Sequence, residues 1–118
     1  MHRPVVLFEI GCKDRGKTSE FYSKMFDWEI DNSGPAATIA SSSGQQPDLP
    51  GHIVALGHEP HNYVTVYVDV DDVAAALEKA AALGGKTIVP PITIPAGQFA
   101  WMADPEGTVI GLFKPNNR

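Results

Sequence analysis

Positive charge is scarce in this chain and nowhere concentrated. Nine Lys plus Arg stand against fourteen Asp plus Glu, for a net charge of -5 at pH 7. No basic run follows the spacing of a phosphate backbone, so a nucleic acid is not expected as a partner. Cysteine is nearly absent. Cys12 stands alone, which rules out an intrachain disulfide and agrees with a reducing compartment. A nucleophilic cysteine would need a base beside it, and at the end of an apolar strand Cys12 reads as a small buried thiol. Long apolar runs are missing too. No stretch approaches the roughly 20 apolar residues of a spanning helix, and "MHRPVVLFEIGCKD" lacks the apolar stretch of a signal peptide. A cytoplasmic protein with no membrane partner is the expectation. What is left, 118 residues of which 43% are hydrophobic, suffices for a single domain with a core of its own.

The pattern along the chain is one of short strands and two helices. "PVVLFEIGC" is rich in β-branched and aromatic residues and is bounded by Pro4 and by Gly11 with the polar "KDRGK" after it, the marks of a strand. Alternation puts Leu7, Glu9 and Gly11 on one face and Phe8, Ile10 and Cys12 on the other. From Arg15 to Trp28, the spacing of Phe21, Tyr22, Met25 and Phe26 predicts an amphipathic helix with Lys17, Glu20, Ser23 and Lys24 on its far side. "WEIDN", "AATIAS" and "HIVAL" read as three strands, the last two separated by the polar "SSGQQPDLPG".

After "GHEPHN" the pattern repeats. "YVTVYVDV" is a strand, Asp71 or Asp72 can cap a helix over "VAAALEKAAALGG", and Gly84-Gly85 closes it. "KTIV", "FAWMA" and "TVIGLF" supply three more strands, the last two joined by a turn at Asp104-Pro105-Glu106-Gly107. Each half is therefore one strand, one helix and three strands. The organisation is one domain over 1–118 built from two βαβββ modules, about 4–57 and about 63–114, and a repeat of this size outranks any single motif.

The duplicated βαβββ units, with "FYSKMFDW", "VDVDDVAAALEKAAALGGK" and "DPEGTVIGL", resemble the vicinal oxygen chelate superfamily, which contains glyoxalase I, fosfomycin and bleomycin resistance proteins and extradiol dioxygenases. The resemblance implies an α+β fold in which two tandem βαβββ modules form an open, curled, mixed β-sheet barrel around a cavity, commonly in a homodimer. In catalytic members a divalent metal sits in that cavity. Relatives carry a Glu ligand where this chain has Gly111, and a His where it has Leu7, with Tyr63 at the corresponding place in the second half. Leu and Gly have no donor, and a phenol is a poor ligand for a borderline cation at neutral pH. The expectation is no metal ligands and no cofactor.

A cavity lined by strand alternation would then hold a small, partly apolar molecule. On this reading Leu7, Glu9, Tyr63, Thr65 and Tyr67 face it together with Trp101, Gly111 and Phe113, and the bare Gly111 is room for the ligand. A carboxylate on an apolar strand is raw material for a general acid or base, which makes Glu9 the catalytic candidate. Each residue also has a plainer reading. Glu9 could face solvent at a sheet edge or a dimer contact, and the tyrosines and Trp101 could be core aromatics with a polar rim. The patch "HEPH" at 58–61, with His52 upstream, is a solvated linker or a small metal or acid–base site. Three functions stay open: a metal-free binding protein, with lyase- or isomerase-like activity as its extension; a metal-dependent glyoxalase or dioxygenase; and a drug-sequestering binder of the bleomycin resistance type.

Overall fold

The computed structural model describes residues 2–40 and 49–116. The expected polar segment "SSGQQPDLPG" lies largely outside the described residues. The chain forms two compact units, residues 7–64 and residues 1–6 with 65–118, and the same plan is laid down twice in chain order. The first run is β1 (Val5–Gly11), α1 (Arg15–Phe26), β2 (Ile30–Asp31), β3 (Ala37–Ile39) and β4 (Gly51–Val54). The second is β5 (Tyr63–Asp69), α2 (Val73–Ala82), β6 (Lys86–Ile94), β7 (Gly97–Ala103) and β8 (Val109–Pro115). Strand order is β2-β3-β4-β1 in one and β5-β8-β7-β6 in the other. The pairs β1–β4 and β5–β8 are parallel and the remaining pairs antiparallel. The fold class is the expected one, α+β with two tandem βαβββ modules and mixed sheets. No helix among the described residues is long and apolar enough to cross a membrane.

Within residues 7–64, alternation decides which face is core. Ile10 from β1 and Cys12 just past its end join Ala37 and Ile39 from β3 and Ile53 from β4 in one buried cluster, against which Tyr22 and Trp28 pack. The face bearing Leu7, Glu9 and Gly11 is therefore turned away from α1. The Cys12 thiol, 2% exposed, donates to the Val54 carbonyl, as expected of a structural cysteine.

The buried side of α1 differs from the one expected. Phe21, Met25 and Phe26 are 59%, 61% and 52% exposed, while Arg15, Thr18, Ser19, Tyr22 and Ser23 form the partly or fully covered stripe. Two serines can sit there because their hydroxyls are used: Ser19 bonds to the Asn32 side chain at 3.3 Å and Ser23 donates to the Trp28 carbonyl at 3.0 Å. The helix also stops two residues early. Asp27 takes the left-handed conformation at φ 59° as its C-cap, and the turn brings the Trp28 indole back against Tyr22, with ring centroids 5.5 Å apart.

In residues 65–118, Val70, Val73, Leu77, Ala100 and Leu112 form the second core. Asp72 is the N-cap of α2, accepting from the Ala75 N–H at 3.0 Å. Strand β6 runs on through Pro90 and Pro91 to Ile94, well past the expected "KTIV". Register shifts on either side of Val89 accommodate the prolines, and β6 is the outer strand of its four, the position where sheets tolerate proline.

Candidate functional site

The paired strands of residues 7–64 assemble a row of polar side chains that the sequence alone does not join. Register sets Glu9 of β1 beside His52 of β4, His52 beside Thr38 of β3, and Thr38 beside Asp31 of β2. All four stand on the face turned away from the core cluster, because their strand neighbours Ile10, Ile53, Ala37 and Ile39 fill it. Over the His52, Thr38 and Asp31 members of this row, and over the adjoining row, lies an open cavity of about 610 Å³, whose lining includes Leu7, Thr38, Ala40, Pro50 and His52, with Glu29 and Asp31 on the side of β2. The volume suits a small organic molecule.

Glu9 is the buried member of the row, 7% exposed. Its Oε2 accepts a 2.7 Å hydrogen bond from the Tyr63 hydroxyl, and its Oε1 lies 4.0 Å from Nδ1 of His52, whose side chain is 36% exposed. One oxygen of the carboxylate is thus held by a phenol and the other faces an imidazole that lines the cavity. The Tyr63 ring reaches Glu9 by lying across Gly11, where an added Cβ would stand 2.1 Å from the ring. Gly11 is needed as floor space for that ring. At the other end of the row, the Ser33 side chain and N–H both bond to Asp31 and hold its carboxyl below the usual carboxylate range.

The same device explains Gly111, but not in the way the sequence suggests. An added Cβ at Gly111 would stand 2.3 Å from Cδ1 of Tyr67, its direct partner on β5. The space read as room for a ligand is filled by that ring. Lying across the glycine, Tyr67 carries its hydroxyl to the next strand, where the Trp101 indole N–H donates to it at 2.8 Å, and Trp101 is the β7 partner of Gly111. Tyr67 and Trp101 are 5% and 8% exposed, and Phe99 meets the Tyr67 ring edge-on at 6.2 Å. Thr65 is buried as well and donates to the Val109 carbonyl, while Phe113 pairs with Phe99 across β8 and β7. Of the expected site residues in residues 65–118, Thr65, Tyr67, Trp101 and Gly111 are therefore buried and bonded or packed to one another's strands.

Thr38 and Asp31 are the residues that sequence reading missed, and that reading groups His52 with the patch at 58–61 rather than with Glu9. The only signal for His52 and Thr38 was a polar residue at alternate positions of "GHIV" and "ATI", since the pairing that brings them to Glu9 is not local. The patch at 58–61 bonds within itself: Nδ1 of His58 meets the Glu59 carbonyl at 2.9 Å and Nε2 of His61 lies 3.6 Å from the Glu59 carboxylate. Among the described residues no three His, Cys, Asp or Glu converge as a metal site would require. The positions where the resemblance places ligands do not fit a divalent ion: Leu7 has no donor atom, the Tyr63 hydroxyl is spent on Glu9, and Gly111 lies under the Tyr67 ring.

Comparison with known proteins bears on this geometry. The profile of a glyoxalase-like domain matches residues 6–113. A segment of 55 residues is 46% identical to CFP32, a proposed glyoxylase of Mycobacterium bovis, and to the protein of the same name from Mycobacterium tuberculosis. That segment is 46% of this chain and 21% of the relative, so the match spans about a fifth of the relatives' length. Among solved structures, the methylmalonyl-CoA epimerase of Mycobacterium tuberculosis superposes with a TM-score of 0.67 at 14% identity, over 94% of this chain and 87% of that one. A glyoxalase/bleomycin resistance protein/dioxygenase superfamily member from Vibrio splendidus gives 0.60 at 14%, over 97% and 99%. A structure described as an NAD-dependent benzaldehyde dehydrogenase from Legionella pneumophila gives 0.68 at 21%, over 93% and 98%. At such identities the likeness is one of fold, and the three descriptions name different chemistries.

Proposed function

This chain belongs to the family of glyoxalase-like domains, its match running through residues 6–113, and from that premise we propose that it binds a small, partly apolar organic molecule in the cavity over β1 to β4, without a metal ion. The observation that carries the reading is the cavity itself. It joins an apolar stretch at Leu7, Ala40 and Pro50 to the polar row at His52, Thr38 and Asp31, the mixture by which small-molecule sites fix both affinity and orientation. The ligand positions of the metal-dependent relatives are occupied here by residues that cannot donate or are otherwise engaged, which favours an organic ligand over an ion. An epimerase of the same fold makes isomerase-like chemistry a natural extension.

The neutral fluorophore 1-aminoanthracene tests the reading. Its emission is expected to rise on titration with the protein, to saturate at one molecule per chain, and to be unchanged after dialysis against EDTA. Thr38→Trp places an indole over the polar row from an exposed strand position and should abolish the enhancement while leaving the circular dichroism spectrum intact. Saturable binding that persists in Thr38→Trp would place the ligand elsewhere, and binding lost to EDTA would restore a metal to the site.

A further inference from the structure

We propose that His52 and Glu9 form a proton-transfer pair in this cavity, with the imidazole as the group that meets the substrate and the buried carboxylate as the residue that positions it. The inference rests on the ligand lying in the cavity described above. Three observations carry it. His52 lines the cavity and is partly exposed, so a bound molecule can reach it. Its Nδ1 faces Oε1 of Glu9 at 4.0 Å, an ion-pair separation longer than a hydrogen bond, which leaves Nε2, on the opposite side of the ring, as the atom presented to a ligand; catalytic contacts that are long without substrate commonly tighten into hydrogen bonds when it binds. Glu9 is held from behind, because the Tyr63 hydroxyl fixes Oε2 at 2.7 Å and so sets the direction of Oε1.

A carboxylate aimed at Nδ1 selects the tautomer with its proton there and leaves Nε2 bare, which is the arrangement a general base requires. The other ionisable groups of the row and the cavity are Asp31 and Glu29, at the far end. Tyr63 is a second positioning residue, acting through Glu9. The chemistry assigned to the site is removal by Nε2 of a proton from a hydroxyl-bearing carbon beside a carbonyl, the C–H electron pair passing into an enediolate. That proton returns from Nε2 to the neighbouring carbon as the carbonyl re-forms on the first and the hydroxyl proton passes to the other oxygen, an isomerisation by a single base.

A substrate-independent probe tests this. 5-Nitrobenzisoxazole is small and partly apolar, and it reports a base directly. When the base takes the C3 proton, the C–H electron pair completes a nitrile as the N–O bond breaks, and a coloured cyanophenolate is released. At a pH where imidazole is neutral, the wild type should accelerate this reaction, and His52→Gln should lower kcat by about tenfold or more, less than the roughly 10²–10⁴-fold typical of a general base because the substrate is unnatural. Glu9→Gln should reduce kcat by less and leave KM unchanged. A long-range ¹⁵N–¹H spectrum of the His52 ring should show the Nδ1–H tautomer in the wild type and a shift toward the Nε2–H tautomer in Glu9→Gln, a change that a merely structural glutamate would not cause.

A His52→Gln rate equal to that of the wild type overturns the pair. If 1-aminoanthracene still binds in that event, the pair alone has failed; if it does not, the binding reading has failed with it. An unchanged tautomer in Glu9→Gln removes the positioning role from Glu9.

Discussion

Gly111 carries a general lesson about single residues in these sheets. A glycine inside an apolar strand is a gap in packing when read along the chain, yet across strands it is the floor on which an aromatic ring rests. Among the described residues three such pairs occur, Phe8 over Gly51, Tyr63 over Gly11 and Tyr67 over Gly111, each with an added Cβ less than 3.0 Å from the ring. In two of them the ring carries a hydroxyl that ends on a functional group of the structure, Glu9 or Trp101. Gly111→Val should therefore destabilise the protein by about 1–3 kcal/mol through overpacking, despite the better strand propensity of valine. The check is the urea midpoint at unchanged slope, with Gly34→Ala as control: the nearest neighbour of a Cβ there is the Ala36 carbonyl at 3.8 Å, and no loss is expected.

At the scale of the element, α1 shows how ends and faces are decided separately. Its start is local chemistry: the Asp14 side chain accepts from the Lys17 N–H at 3.0 Å and its carbonyl takes the Thr18 N–H, so Asp14→Ala should cost about 0.5–2 kcal/mol in a denaturant titration. Its end is a compromise. Asp27 sits in the left-handed region, where glycine is freer, and Asp27→Gly should recover up to about 1 kcal/mol. A loss in that variant would mean that the Asp27 side chain, not the backbone, holds the turn to Trp28. Neither end determines which side is buried. That depends on what the sheet offers, and here it offers Trp28 and the β1–β3–β4 cluster to Tyr22 rather than to Phe21 or Met25.

At the scale of the whole molecule, the exposed side of α1 bears on assembly. Phe21, Met25 and Phe26 stand along one helix with more than half of each surface open, at positions i, i+4 and i+5, so that they neighbour one another rather than being scattered, as apolar residues at an interface do. We propose on this ground that the protein is a homodimer with α1 near the contact. Light scattering should give twice the 12.7 kDa chain mass, and Phe21→Asp combined with Met25→Asp should halve it; a monomer mass in the wild type, independent of concentration, would end the proposal.

Much of this was already determined along the chain. Period-2 and period-3.6 patterns, Asp caps, closing glycines and the Asp104–Gly107 turn are local, because they arise from backbone geometry and hydrogen bonds between near neighbours. They sufficed to lay out two βαβββ modules and to assign the two faces of β1. The candidate site was legible only in part. Leu7 and Glu9 were placed on one face by alternation, but His52, Thr38 and Asp31 joined them only through strand register, whose decisive pairing, Glu9 with His52, joins strands far apart in the chain by rules that no local pattern encodes. The same holds for Gly111, whose emptiness is a property of its own residue and whose filling belongs to Tyr67 on another strand. What the sequence by itself determined was the order and type of the elements; what the tertiary structure decided was which strands pair and in which direction, and which side chains meet, because contact across a sheet depends on register and ring reach rather than on distance along the chain.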